Sequence, residues 1–299
     1  MGAVIAVIVS GLLAGAQYAL AAVGMTLIFR VDRILNLATG AFFALGAYLA
    51  YQATLLGLPA YGGAVPAAAA GVLLGAAVDR ALIRPVREYP FAAAIVLLGL
   101  AILTEEGLLL VWGPANHAVV LRLPPALVGR VVVNTEQVIT AAASTAILGA
   151  LGLFLRSRVG LGVRATAGDP EVAAMAGIDV GRVHTATFAA ACGMAAVAGT
   201  FLSPLLILSP TMGRFPLILS LSMVVVGGAG RIRGTLAASI GIGLASTIVA
   251  FYLTPTWSYI LALALLTAAL TRRADGPLGM RARPEAGGTV MLAPRSLGP

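Results

Sequence analysis

Few side chains in this sequence could do chemistry, so each ionisable group inside an apolar run needs its own reading. Glu105 and Glu106 are adjacent within "AAAIVLLGLAILTEEGLLLVW" (92–112). A carboxylate at mid-bilayer costs about 2.5–3.5 kcal/mol on insertion scales, so such groups face a bundle interior or a water-filled cavity. Paired acids could relay a proton or a cation. They could also make interhelical hydrogen bonds or face an outer vestibule. Neighbouring helical positions point about 100° apart, and the other runs are nearly bare of ionisable groups, which favours the structural reading. Asp79 and Arg80 stand at the inner end of another run, where snorkelling and local pairing suffice. His184 opens a run beside Arg182 and reads as interfacial, while His117 lies in a loop.

Absent residue types exclude whole classes of chemistry. All 19 basic residues are arginine. Without lysine the chain has no Walker A loop and no Schiff-base nucleophile. One cysteine (Cys192) and two histidines build neither a metal site within one chain nor a disulfide. There is no Gly-x-Ser-x-Gly and no acidic metal cluster, so nothing supports a membrane-embedded enzyme.

Two kinds of segment remain. "RATAGDPEVAAMAGID" (164–179) predicts a short capped helix over about 169–177: Asp169 as N-cap, Pro170 at the first helical position, Glu171 in the first turn, Gly177 as the left-handed C-terminal residue. So few residues do not hold a helix alone in water, since about 12–15 are needed. Val172, Met175 and Ala176 form a small apolar face, and Ala173 and Ala174 permit close approach. Such an element suits a groove on another protein, or the membrane surface. The second kind is a broken span. "RVDRILNLATGAFF" (30–43) places Asn36, Thr39 and Gly40 at the start of an apolar run. "VVVGGAGRIRG" (224–234) places Gly227, Gly228 and Gly230 at the end of a run too short to cross a bilayer. Broken helices bring free backbone groups to a solute path; Gly-rich turns are the plainer alternative. Asn36 and Thr39 could hydrogen-bond a solute's polar end.

The elements that must position these residues are spans. Hydrophobic residues make up 60% of the chain and charged ones 10%, and mean hydropathy is +1.01, outside the soluble range. Apolar runs fall near 4–29, 40–57, 63–83, 91–112, 136–155, 184–206, 215–228, 235–253 and 256–271. The expected fold is all-α: a polytopic transmembrane helical bundle of eight to nine spans, some broken or half-length, over residues 1–278. Continuous runs argue against membrane strands. The first run lacks a preceding arginine and a polar, small-residue cleavage site, so it reads as a span and not a signal peptide. With the N-terminus outside, sixteen arginines fall on inner loops and three (Arg122, Arg130, Arg214) on outer ones. That bias accounts for the basic pI of about 10.5 without nucleic acid, and places 164–179 in the cytoplasm. Residues 279–299, without apolar periodicity, are expected to be a disordered cytoplasmic tail. Gly-x-x-x-Gly occurs four times, about as often as 36 glycines produce by chance.

Four stretches together carry a resemblance: "ALAAVGMTLIFRVDRILNLATGAFFALGAYLA" (19–50), "LIRPVREYPFAAAIVLLGLAIL" (82–103), "RATAGDPEVAAMAGIDVGRVHTATFAAACGMAAVAGTFL" (164–202) and "SMVVVGGAGRIRGTLAASIGIG" (222–243). In order, over about 10–280, the chain resembles the permeases of branched-chain amino acid ABC importers. Arg164, Asp169, Glu171, Ala173, Ala174, Gly177 and Ile178 are similar to the "EAA"-type coupling loop of such permeases. Relatives often carry Asn-Phe-Ala-His-Gly where this chain has Asn36 to Gly40, with Thr39 in place of the imidazole. The resemblance implies a bacterial inner-membrane subunit that pairs with a second permease. Two cytoplasmic ATPase subunits would hydrolyse the ATP, with no cofactor in this chain, and an extracytoplasmic binding protein would deliver branched-chain or other small neutral amino acids. Urea or short amides are alternative substrates within the family. From the residues alone, an ion-coupled carrier resting on Glu105 and Glu106 is the competing class.

Overall fold

The computed structural model describes residues 2–121, 124, 126–128 and 131–272; the tail expected at 279–299 lies outside them. In chain order the helices are α1 (Gly2–Asp32), α2 (Thr39–Leu55), α3 (Ala64–Val78), α4 (Pro90–Trp112), α5 (Thr135–Arg156), α6 (Arg158–Gly168), α7 (Pro170–Met175), α8 (Val180–Leu202), α9 (Arg214–Gly227), α10 (Ile232–Tyr252) and α11 (Pro255–Arg272). Each of the nine expected runs coincides with one of these. Among the described residues, six helical segments are long and apolar enough to cross a membrane, while α9 and α11 are shorter apolar helices. At 1.5 Å per residue, α2 and α9 reach only about 26 and 21 Å, against a hydrocarbon core of about 30 Å.

Two elements were not anticipated. A pair of three-residue antiparallel strands, β1 (Ala126–Val128) and β2 (Val131–Val133), joins α4 to α5. It departs from an all-helical chain, but is far too short to span. The other is α6, whose eleven residues carry no span-length apolar signal; the Ser157 hydroxyl caps it by accepting from the Gly160 N–H at 3.2 Å. Val163 is buried against Leu27 and Val31 of α1, so α6 is held against the end of the central helix.

Burial shows which helices are central. In its most apolar stretch, 78% of α8 is buried inside the chain, against 11% of α4. Residues 19–29 of α1 are all buried. α1 packs along α10, α8, α5 and α9, and α8 along α3, α2 and α1. These approaches depend on absent side chains. A Cβ on Gly243 would strike the Gly15 backbone where α10 crosses α1, and one on Gly199 would overlap the Phe43 carbonyl where α8 crosses α2. Two of the four Gly-x-x-x-Gly pairs are therefore real crossings, Gly11/Gly15 of α1 against α10 and Gly71/Gly75 of α3 against α8. Chance frequency had hidden them.

Candidate functional site

α7 forms for local reasons. Pro170 presets the first turn, and the Asp169 carboxylate accepts from the N–H groups of Glu171 (2.9 Å) and Val172 (3.1 Å). Gly177 has φ 81°; its N–H donates to the Ala174 carbonyl at 2.9 Å, and Ile178 N–H donates to the Ala173 carbonyl at 3.1 Å. This is the paired closure that ends a helix on a left-handed glycine. Both ends are thus satisfied within nine residues. Ala173 is buried on the side facing the chain. Val172 and Met175 are 55% and 81% exposed, and Ala174 and Ala176 are exposed beside them. The helix is anchored by one small residue and turns its apolar ones outward. Arg164 lies apart from this element, exposed on α6.

Immediately after α7 comes the base of α8, where the Asp179 carboxylate accepts from Arg182 N–H at 3.0 Å. Two residues further on is a buried polar cluster. His184 Nδ1 pairs with Asp32 at the end of α1, and the Thr185 hydroxyl donates to Asp79 at 2.6 Å. Asp79 opens the single π-turn (Asp79–Ile83) that ends α3. Arg87 reaches both acids: its Nε is 3.2 Å from Asp32 without hydrogen-bond alignment, and its second nitrogen pairs with Asp79. Both carboxylates are fully buried. The guanidinium thus ties the ends of α1 and α3 together, and the two carboxylates tie both to the base of α8, five residues after Asp179. Sequence reading missed this. Asp32 drew no reading of its own, Asp79 was expected to pair locally, and His184, read as interfacial, is buried in the chain.

The residues at the two breaks do not form one group. Asn36 is buried, its side-chain Oδ1 accepting from Ala38 N–H at 3.0 Å and its Nδ2 3.8 Å from Cys192 Sγ, near the middle of α8. The Thr39 hydroxyl donates to the backbone carbonyl of Asn36 at 2.8 Å. Gly40, the second residue of α2, lies against the backbone of Gly213, the N-cap of α9. Two short helices therefore meet at their N-termini inside the bundle. Gly227, Gly228 and Gly230 are at the far end of α9, about 20 Å away along its axis. There Gly227 packs on Gly234, while Gly228 (φ 96°) and Gly230 (φ 82°) turn the chain into α10.

The two glutamates also separate. Glu105 accepts a two-pronged bond from Arg214, with Nη2 at 2.7 Å and Nε at 3.0 Å, joining α4 to the start of α9. Glu106 is exposed. His117 pairs its backbone with Leu208 and stacks on Tyr51 at 4.6 Å, closing the end of the bundle opposite the arginine-rich one. Among the described residues, no group of three His, Cys, Asp or Glu could hold a metal ion.

Comparison with known proteins fits this bundle. Residues 7–270 match the family described as branched-chain amino acid transport system / permease component. The chain is 28% identical to the high-affinity branched-chain amino acid transport system permease protein LivH of Salmonella typhimurium and to that of Escherichia coli, covering 92% of this chain and 94% of each relative. It is 29% identical to the permease protein BraD of Pseudomonas aeruginosa, over 93% of this chain and 95% of that protein. No solved structure matches. A multi-pass apolar bundle matched along nearly its whole length is a transport component and not an enzyme, and this chain belongs to the branched-chain amino acid permease family.

Proposed function

We propose that this chain is a permease subunit of an ATP-binding-cassette importer in a bacterial inner membrane. It passes branched-chain or other small neutral amino acids, received from an extracytoplasmic binding protein, into the cytoplasm. A second permease completes the path, and two cytoplasmic ATPase subunits hydrolyse the ATP. The observation that carries this reading is α7, a six-residue helix closed at both ends that presents Val172 and Met175 to the outside. A helix with no loose ends moves as a unit when a groove around it moves. Asp169, Glu171, Ala173, Ala174, Gly177 and Ile178 build that handle, and Arg164 stands on the helix that leads to it. Its motion passes through Ile178 and Asp179 into α8, and the Arg87 cluster ties that displacement to α1 and α3. Two-state, rigid-body alternation of this kind needs only a difference in ATP affinity between the states to bias it.

The meeting of α2 and α9 supports a solute contact near Asn36, Thr39 and Gly40. The N-terminal ends of both helices carry partial positive charge, which suits the carboxylate of an amino acid. Gly227, Gly228 and Gly230 form a hinge at the lower end of α9, between the pathway and the inner surface. The test is uptake by proteoliposomes containing this chain, its partner permease, the ATPase subunits and the binding protein. Radiolabelled leucine is expected to accumulate only with ATP inside the compartment that holds the ATPases. Accumulation by this chain alone, driven by a proton or sodium gradient, would contradict the proposal.

A further inference from the structure

Between α1, α5, α6 and α10 lies an open cleft of about 640 Å³ at the arginine-rich end of the bundle. Five arginines line it: Arg30, Arg156, Arg164, Arg231 and Arg233. Among the described residues, no carboxylate is within ion-pair distance of any of the five. So many like charges around one cleft repel each other unless an anion or water lies between them. The start of α10 adds to the field. It has no acidic residue in its first turn and no side-chain cap at Arg231, and its first residues, Ile232 to Gly234, are part of the same wall.

The cleft is also graded along one axis. On α1, Val23 precedes Arg30 by seven residues, and on α5 Leu148 precedes Arg156 by eight. At 1.5 Å per residue the apolar and basic levels are about 10–12 Å apart on both. α10 runs the other way and reverses the order, with Arg231 and Arg233 first and Leu236 after. Three helices therefore agree: the lining toward the bundle's middle is apolar, and the guanidinium groups are confined to the mouth, where Leu155 and Ile232 stand beside them. A soluble anion would need only the mouth. A molecule with a charged head and a hydrocarbon chain matches both levels.

We propose that this cleft is a binding site for an anionic phospholipid, the phosphate seated among Arg30, Arg156, Arg231 and Arg233 and an acyl chain lying along Leu148 and Leu151 of α5. Basic pockets between helices at the inner membrane face recognise acidic headgroups by this complementarity. The chain's own tail is a poor occupant, because residues 273–299 hold four arginines against Asp275 and Glu285. The inference does not depend on the transport reading. Its test leaves Arg164 and Gly230 unchanged, so the two can fail separately.

The experiment uses the purified full-length chain, with lipid retention read by native mass spectrometry and unfolding by thermal melting. Phosphatidylglycerol is expected to be retained and to raise the melting temperature, and phosphatidylcholine to do neither. The triple variant Arg156→Gln, Arg231→Gln, Arg233→Gln is expected to lose at least tenfold of the retained phosphatidylglycerol while melting as wild type in phosphatidylcholine. A matched triple, Arg80→Gln, Arg84→Gln, Arg182→Gln, removes equal charge elsewhere and is expected to keep it. Equal retention of both lipids, or equal loss from both triples, would overturn the proposal. So would inorganic phosphate reproducing the whole thermal shift, or a photoreactive residue at position 151 crosslinking a second polypeptide instead of lipid.

Discussion

Aspartate at both Val172 and Met175 is expected to leave the chain folded and to abolish ATP-driven uptake. The two side chains are 55% and 81% exposed, so their replacement removes little packing within the chain. Surface changes of that kind stay within about 0.5 kcal/mol. A groove on a partner ATPase would instead have to bury two new carboxylates. An unpaired charge held out of water costs several kcal/mol. At 1.4 kcal/mol per tenfold, even about 3 kcal/mol lowers affinity by more than a hundredfold. The check is co-purification of the ATPase subunits beside leucine uptake and thermal melting. Loss of both partner and uptake at unchanged melting temperature is the expected result. Normal association and uptake would mean that α7 is not the handle.

Arg87→Met is expected to have the largest effect on stability. Its guanidinium serves two fully buried carboxylates, Asp32 and Asp79. Removing one member of a buried ion pair costs about 3–5 kcal/mol, because the remaining charge is left uncompensated. Here two would remain. His184 would still face Asp32 and Thr185 would still donate to Asp79, so the loss falls on charge balance more than on hydrogen bonding. The expected outcome is a melting temperature in detergent lowered well beyond any change at Val172 or Met175, with reduced membrane yield. Adding Asp79→Asn to Arg87→Met should restore part of it by removing one buried charge. An Arg87→Met protein as stable as wild type would show that the cluster does not hold α1, α3 and α8 together.

What the sequence made legible was local or compositional. α7 was readable because Asp169, Pro170 and Gly177 act within nine residues, each through its own backbone geometry. The shortness of α9 was readable because Gly227 and Gly228 end an apolar run that begins near Arg214. Contacts between distant segments were not readable. Arg214 and Glu105 are 109 residues apart, His184 and Asp32 are 152, and no periodicity relates them. α6 escaped notice because its apolar positions number too few to mark a span. The residues at the two breaks drew attention because both stretches are Gly-rich and polar-edged. The fold sets them at opposite ends of α9, a separation that their composition does not encode.

The sidedness of α7 tests the account most directly. Cys192 is the chain's one cysteine and is fully buried, so Met175→Cys supplies a single exposed thiol in an otherwise silent background. A membrane-impermeant maleimide should leave that thiol unlabelled in intact spheroplasts and label it readily in inside-out vesicles, less so once the ATPase subunits are bound. Ready labelling from outside intact cells would put the handle on the wrong side of the membrane and contradict the account.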